Sequence, residues 1–229
     1  MRLLITGAKG QLGTELLRQL AAGGSLQWFR NQFCAAEVQA AAGLQKDPYV
    51  LMDEQAANIP IGADRLLFLP YLMGERSPLL DPDARGAFIG LSAIHTRQHM
   101  LRAVMEGVVY SQRQCMDVLR EMQVLPNEIL ATGGGGTSPL WRQMLADVLQ
   151  CPVNTVANRE GPALGAAILA GVGVGLYTDV PQACRSIIHC RQPQAPVAQN
   201  SQSYEPYYLL YKRAYPALKE LYADLARAK

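Results

Sequence analysis

The chain has 229 residues, 49% of them hydrophobic, 17% charged and 7% aromatic, with 21 basic against 19 acidic side chains and a formal net charge of +2. A chain of that length buries about 70% of its unfolded surface, enough for one large domain or two small ones. Near-neutral charge with no run of one sign excludes an electrostatic footprint for nucleic acid or an anionic membrane, and no apolar run approaches the roughly eighteen residues of a membrane span.

Residues 2 to 6 form an apolar run ending in a glycine cluster, and Leu12, Leu16, Leu17 and Leu20 follow at helical spacing, which predicts strand, loop, helix. The apolar start is too short and wrongly flanked for a signal peptide. A helix is predicted from Ser25 to Ala42, then a buried strand over Ala63 to Leu72 and a polar, proline-bearing loop, GERSPLLDPDARG. After a short segment at Ala87 to Leu91, Gln98 to Met122 carries Met100, Val104, Val108 and Cys115 with no helix breaker except Gly107, which predicts a long helix. Ile129 to Thr132 reads as a strand running into four consecutive glycines, and Ser138 to Leu149 resumes a helical pattern. Val153 to Val156 is predicted as a strand, Gly161 to Ala170 as a small-residue helix, Arg191 to Ser203 as a loop and Tyr204 to Lys229 as an amphipathic helix. Alternating strands and helices predict an α/β fold. The five cysteines form an odd set without a C-x-x-C pair, in a chain too large to need staples, which points to reduced thiols and a cytoplasmic location.

Two strand, glycine, helix units stand out. The first carries Gly7, Gly10 and Gly13 in ITGAKGQLG. Glycines there let backbone amides approach a pyrophosphate at a helix amino terminus. This opening resembles that of the extended short-chain dehydrogenases, most of all the dTDP-4-dehydrorhamnose reductases, which implies a nicotinamide dinucleotide. The resemblance covers about the first twenty residues. The ribose-reading residue expected about twenty positions on is not in place, since Asp53 and Glu54 come too late. Tyr208 and Lys212 match that family's Tyr-x-x-x-Lys pair, but near the far end of the chain and without its context.

The second unit is ATGGGGTS, Ala131 to Ser138. Four glycines present a surface with no side chain in the way, and Thr137 and Ser138 add hydroxyls or cap the next helix. From about residue 21 onward the chain is similar to the carboxy-terminal domain of the FGGY carbohydrate kinases, within them to the xylulokinases. The matching blocks are AAGGSLQWFRNQF, FLPYLMGERSPLLDPDARGAFIGL, GGGGTSPLWRQMLADVLQCPV and GPALGAAILAG. The family's second signature is matched at Gly86, Phe88, Gly90, Leu91, His99, Met100, Ala103, Val104, Met105 and Glu106.

The resemblance implies an ATPase domain of the actin, hexokinase and Hsp70 type, ribonuclease H-like, incomplete at its amino-terminal strands. It implies ATP with magnesium, and a sugar such as D-xylulose as acceptor. Residues 1–20 then form a reductase-like segment, and residues 21–229 the nucleotide-binding domain. Carried over residue by residue, Gly23 and Gln27 lie beside the nucleotide, and Gly134 and Ser138 lie at the glycine loop under adenosine and phosphates. Gly133 and Gly135 shape the same loop. Gly161 and Gly165 let a helix pack closely or touch the ligand. Glu75, Arg76, Asp81 and Arg85 read as a salt-bridged loop, His95 and His99 as caps or surface residues, and Trp28 and Trp141 as core.

The family's catalytic aspartate and D-x-G-T phosphate loop lie in the amino-terminal domain, and neither occurs here. The expectation is therefore an ATP-binding half that does not phosphorylate a sugar without a complementary domain. A homodimer is compatible with it. A nucleotide-binding module or split-kinase half, and an NADPH-dependent reductase, stand as alternatives. Residues 2 to 20 are expected to add a strand to the orphaned sheet, because a sheet that has lost its first strands exposes an edge.

Overall fold

The computed structural model describes residues 2–5, 24–131, 134–155, 161–189 and 191–228. In chain order its elements are β1 (Arg2–Ile5), α1 (24–33), α2 (Ala35–Gly43), α3 (Pro48–Ala57), a 3-10 turn (Ala63–Arg65), β2 (Leu67–Leu69) and β3 (Ala87–Ile89). There follow α4 (Arg97–Glu121), β4 (Glu128–Ala131), α5 (Gly134–Thr137), α6 (Pro139–Leu149), β5 (Val153–Thr155), α7 (Gly161–Gly173), α8 (Val180–Ile187) and α9 (Ala198–Arg227).

Three strands form a parallel sheet in the order β1-β4-β5. Arg2 stands opposite Glu128 and Ile5 opposite Ala131, so the amino-terminal strand covers an edge of β4 that would otherwise offer unpaired amides. β4 is paired on its other side with β5, Ile129 opposite Val153. A separate two-stranded antiparallel ribbon joins β2 and β3, with Phe68 opposite Phe88 and their rings 4.6 Å apart.

Helix α4 is the axis of the core. Every residue from Leu101 to Ser111 is buried, because β2, α3, α6 and α9 all pack on it. A helix buried on all sides must place its polar groups in pairs. Arg102 Nε donates to Glu106 Oε1 at 2.7 Å, and the Arg102 guanidinium also bonds Tyr204 Oη at 2.7 Å. Gly107 lies where α4 crosses β2, and a Cβ there would stand 2.1 Å from the Phe68 carbonyl oxygen. The single glycine inside this helix is thus a close approach and not a break.

Several expectations are corrected by packing. The helix expected over Ser25 to Ala42 is two helices, α1 and α2, bent at Cys34, whose φ and ψ are −116° and 36°. Cys34 N–H still donates to Arg30 O at 3.1 Å and Cys34 O accepts from Val38 N–H at 3.0 Å, so the chain bends without opening. In place of a strand over Ala63 to Leu72, the strand covers Leu67 to Leu69. The residues before it, Gly62, Ala63, Asp64 and Arg65, have φ of 81°, 44°, 53° and 75°. Left-handed non-glycine residues cost about 1–3 kcal/mol each and persist only where neighbours over-determine them. Here Gly62 N–H donates to Glu106 Oε1 at 3.1 Å, and the imidazoles of His95 and His99 bond the Asp64 carbonyl oxygen and carboxylate at 3.2 and 3.0 Å.

The two histidines are accounted for in this way, and both serve the entry to α4. Ser92 N–H donates to His95 Nδ1 at 2.8 Å and Thr96 N–H to His99 Nδ1 at 3.1 Å, so each Nε2 is free to donate to Asp64. The carboxy-terminal helix α9 begins at Ala198, six residues before the expected start, and runs through Pro206 and Pro216. Its buried face carries Tyr204, Tyr208, Tyr211, Tyr215 and Tyr222. Among the described residues no helix is long and apolar enough to cross a membrane, and Cys34, Cys115, Cys151 and Cys184 are not in disulfides.

Candidate functional site

The carboxy-terminal end of β4 leads, across residues 132–133, into the glycine turn α5 and then α6. The four glycines are expected as a loop between strand and helix, and Gly134 to Thr137 form one helical turn there. A Cβ at Gly136 would stand 2.7 Å from the Ala131 carbonyl oxygen and 3.3 Å from Thr155 Oγ1, so the turn is folded back against the ends of both β4 and β5. Only a residue without a side chain permits that contact. Arg142 Nη1 holds the far side of the turn, donating to Gly136 O at 2.8 Å and Thr137 O at 3.1 Å.

Ser138 ends the turn and starts α6. Its Oγ accepts the backbone N–H of Trp141 at 3.0 Å, and Pro139 occupies the first helical position, where no amide hydrogen is needed. Asp53 of α3, which packs on α6, lies close to the Ser138 side chain. Burial pushes the Asp53 carboxyl above the usual carboxylate range, and the Ser138 hydroxyl pulls it part of the way back. Asp53, Arg142 and Thr155 are members of this constellation that sequence reasoning missed. No local motif marks them: Asp53 and Thr155 are brought in by tertiary contacts, and Arg142 reaches back from α6 to the turn.

The expected site residues are distributed unevenly. Gly134, Gly135 and Ser138 fall in one continuous turn. Gln27 lies exposed on α1. Gly23 and Gly133 lie outside the described residues, as does the amino-terminal cluster Gly7, Gly10 and Gly13. Among the described residues, a Cβ at Gly165 would meet nothing within 4 Å, so no close packing is served there by them. Among the described residues no group of three or more His, Cys, Asp or Glu side chains could hold a metal ion, so no magnesium ligand set is assigned.

The remaining candidates are structural. Glu75 Oε1 accepts the N–H groups of Arg76 and Ser77, and Arg85 Nη1 donates to the carbonyls of Pro82 and Ala84. Glu75 and Arg85 hold the backbone of their own loop, and Asp81 accepts from Tyr215 Oη at 2.7 Å. Tyr208 is buried and donates to Asp117 Oδ2 at 2.5 Å, with Arg113 over its ring and Lys212 5.3 Å from the ring centre. Tyr208 therefore packs α9 on α4, and Lys212 lies beside its ring on the same helix. Trp141 is buried, and Trp28 stacks on Phe68 with 6.5 Å between ring centres.

The sequence profile of the FGGY family of carbohydrate kinases, C-terminal domain, matches residues 9–174. The chain belongs to this family. The FGGY match begins inside the segment whose opening resembles the reductases. Over 202 residues the chain is 37% identical to a xylulose kinase of Bacillus subtilis, covering 88% of this chain and 38% of that protein. It is 35% identical over 202 residues to a gluconokinase of the same organism, covering 88% of this chain and 39% of the relative. The crystal structure of a ligand-bound xylulose kinase from Lactobacillus acidophilus superimposes with a TM-score of 0.76 at 30% identity, over 89% of this chain and 39% of that one. The FGGY chain thus spans about two fifths of the length of the relatives it matches. Its fold is that of the sugar kinases of the actin and hexokinase-like ATPase class, represented here by a partial domain.

Proposed function

We propose that residues 21–229 form the nucleotide-binding domain of a xylulokinase-like sugar kinase, and that this chain alone holds the adenine nucleotide without transferring its terminal phosphoryl group. In the complete kinase the reaction would convert ATP and D-xylulose to ADP and D-xylulose 5-phosphate. The observation that carries the reading is the glycine turn at the carboxy-terminal end of a parallel sheet, folded back on β4 and β5 and closed by the Ser138 cap. In open α/β sheets ligands bind in the crevice beyond those strand ends. Gly134 and Gly135 leave the turn's surface free of side chains, Ser138 contributes a hydroxyl, and Gly23 and Gln27 are assigned to the same nucleotide by the family resemblance.

Phosphoryl transfer needs a carboxylate to orient or deprotonate the acceptor hydroxyl. The family resemblance puts that group in the amino-terminal domain, together with most contacts to the sugar. Magnesium would accompany the nucleotide.

Calorimetric titration with ATP tests the nucleotide site. The parent chain should bind, and Gly134→Val should weaken binding by about tenfold or more, because a branched side chain would occupy the turn's open face. Equal binding by the two would remove the glycine turn from the site. In a coupled assay, D-xylulose phosphorylation by this chain alone should stay at background. A clear rate would show that the base is supplied within these residues.

A further inference from the structure

The outward side of α9 carries apolar residues that the described residues leave uncovered. Leu210 and Leu221 are 46% and 52% exposed, on a helix that is continuous through Pro216 and whose tyrosines are buried. At about 100° per residue these leucines lie about 120° around the helix from the tyrosine face, so packing on α4 does not use them. Between them Ala214 and Ala217 complete a spacing of four, three and four residues, the alternation with which one helix presents a seam to another. Each alanine contributes a single methyl group, which lets a facing helix come close at the middle of the seam.

Arg213 and Glu220 flank the seam on one side, seven residues apart, and both are exposed. Among the described residues neither side chain has a partner within the chain. When two copies of such a helix meet antiparallel, residues of the same flank face each other. The register that sets Leu210 against the partner's Leu221, and Ala214 against the partner's Ala217, also sets Arg213 beside the partner's Glu220. Two-fold symmetry makes each of these contacts twice. Sliding by one heptad brings Arg213 to the partner's Arg213 in one direction and Glu220 to the partner's Glu220 in the other. A parallel pairing would leave Arg213 beside the partner's Leu218. Charge therefore selects one direction and one register.

We propose that this side of α9 is a self-association surface whose occupant is a second copy of the chain, paired antiparallel about a two-fold axis that passes between Ala214 and Ala217. The leucine pairs supply apolar burial, and the two ion pairs fix direction and register. A seam about 17 Å long makes a small interface, so association is reversible and depends on concentration.

Analytical ultracentrifugation of the full chain at low salt, from about 5 to about 500 µM, tests it. The average mass of the parent should climb from 25.0 kDa towards twice that value. Leu221→Lys keeps helix propensity but sets an ammonium group against the partner's Leu210, and should weaken association by about tenfold or more. Arg213→Glu and Glu220→Arg each turn both ion pairs into repulsions, and each alone should weaken it by at least about threefold. An equimolar mixture of these two variants should associate as the parent does, because every facing pair in the mixed dimer is again of opposite sign. Melting curves establish that each variant is folded, and the two charge reversals, both at exposed positions, carry the test if Leu221→Lys is not. A parent that stays monomeric, a Leu221→Lys protein that associates like the parent, or a mixture that associates no better than its components overturns the proposal.

Discussion

Replacing Gly107 by alanine would place a methyl group 2.1 Å from the Phe68 carbonyl oxygen and 3.1 Å from the Phe68 carbonyl carbon. Both are backbone atoms of the central residue of β2, which is paired with Phe88, so neither can swing aside as a side chain could. An ordinary carbon to oxygen contact is about 3.3 Å or more, so α4 and β2 must separate by about 1 Å. Forcing extra atoms into a packed core costs about 1–3 kcal/mol and at times more, and an approach this short belongs at the upper end. Alanine returns about 1 kcal/mol through its better helix propensity. The net loss is then about 2 kcal/mol, or a fall of about 4–8 °C in Tm for a chain of this size. Gly165→Ala in α7 is the matched control, because among the described residues its Cβ would meet nothing within 4 Å. It should gain up to about 1 kcal/mol from propensity alone. Thermal and urea unfolding followed by circular dichroism read both variants. A Gly107→Ala protein as stable as its parent would refute the close crossing of α4 over β2.

Two further expectations concern charge. Burial acts to raise the Glu37 carboxyl, but the Arg97 guanidinium and the Gln55 amide outweigh it and hold the group below the usual carboxylate range. That pairing stabilises the fold above the unfolded carboxylate pKa, and its contribution fades as pH falls through the lowered folded value. Arg97→Ala should cost about 1–2 kcal/mol at neutral pH, less than a fully buried pair because Arg97 is 37% exposed. Glu37 without its partner then favours the protonated form, so the deficit should shrink as pH is lowered through the carboxylate range; a deficit constant with pH in urea titrations would count against the pairing. Tyr215→Phe removes the hydroxyl that donates to Asp81 at 2.7 Å and chiefly holds that carboxyl low. Its urea midpoint should reveal a loss of about 1–2 kcal/mol at neutral pH, and an unchanged midpoint would place the loop's anchorage elsewhere.

What could be read from the residues was whatever local pattern controls. The periodic apolar residues of α4 and the strand, glycine, helix order of β4, α5 and α6 appear in the structure within a residue or two of expectation. The boundaries of α9 were obscured because Gln199, Asn200, Ser201 and Gln202 have loop composition, and only the packing of Tyr204 and Tyr208 makes helix the better state for them. Helices α3 and α8 did carry a local signal, an aspartate cap with proline in the first turn at Asp47 and Pro48 and at Asp179 and Pro181. The left-handed run from Gly62 to Arg65 could not be read locally, since three of its residues have side chains that disfavour it. Its supports, His95, His99 and Glu106, lie some thirty to forty-four positions away. The same holds for the site. Glycine spacing locates the turn, but Asp53 reaches Ser138 through the packing of two helices that are remote in sequence.

The tyrosine face of α9 has a consequence for how a long helix keeps its place. A stripe of leucines would tolerate sliding along α4 by one helical turn, about 5.4 Å, because one methyl group can replace another. Tyrosine hydroxyls cannot be exchanged in that way. Tyr204 meets Arg102, Tyr208 meets Asp117, Tyr211 meets the Tyr71 hydroxyl at 3.0 Å and Tyr215 meets Asp81. A slipped helix would set each hydroxyl against its neighbour's partner and strand charged groups in the interior. The four bonds therefore act as a vernier, fixing the axial position of a thirty-residue helix that two prolines would otherwise leave free to drift.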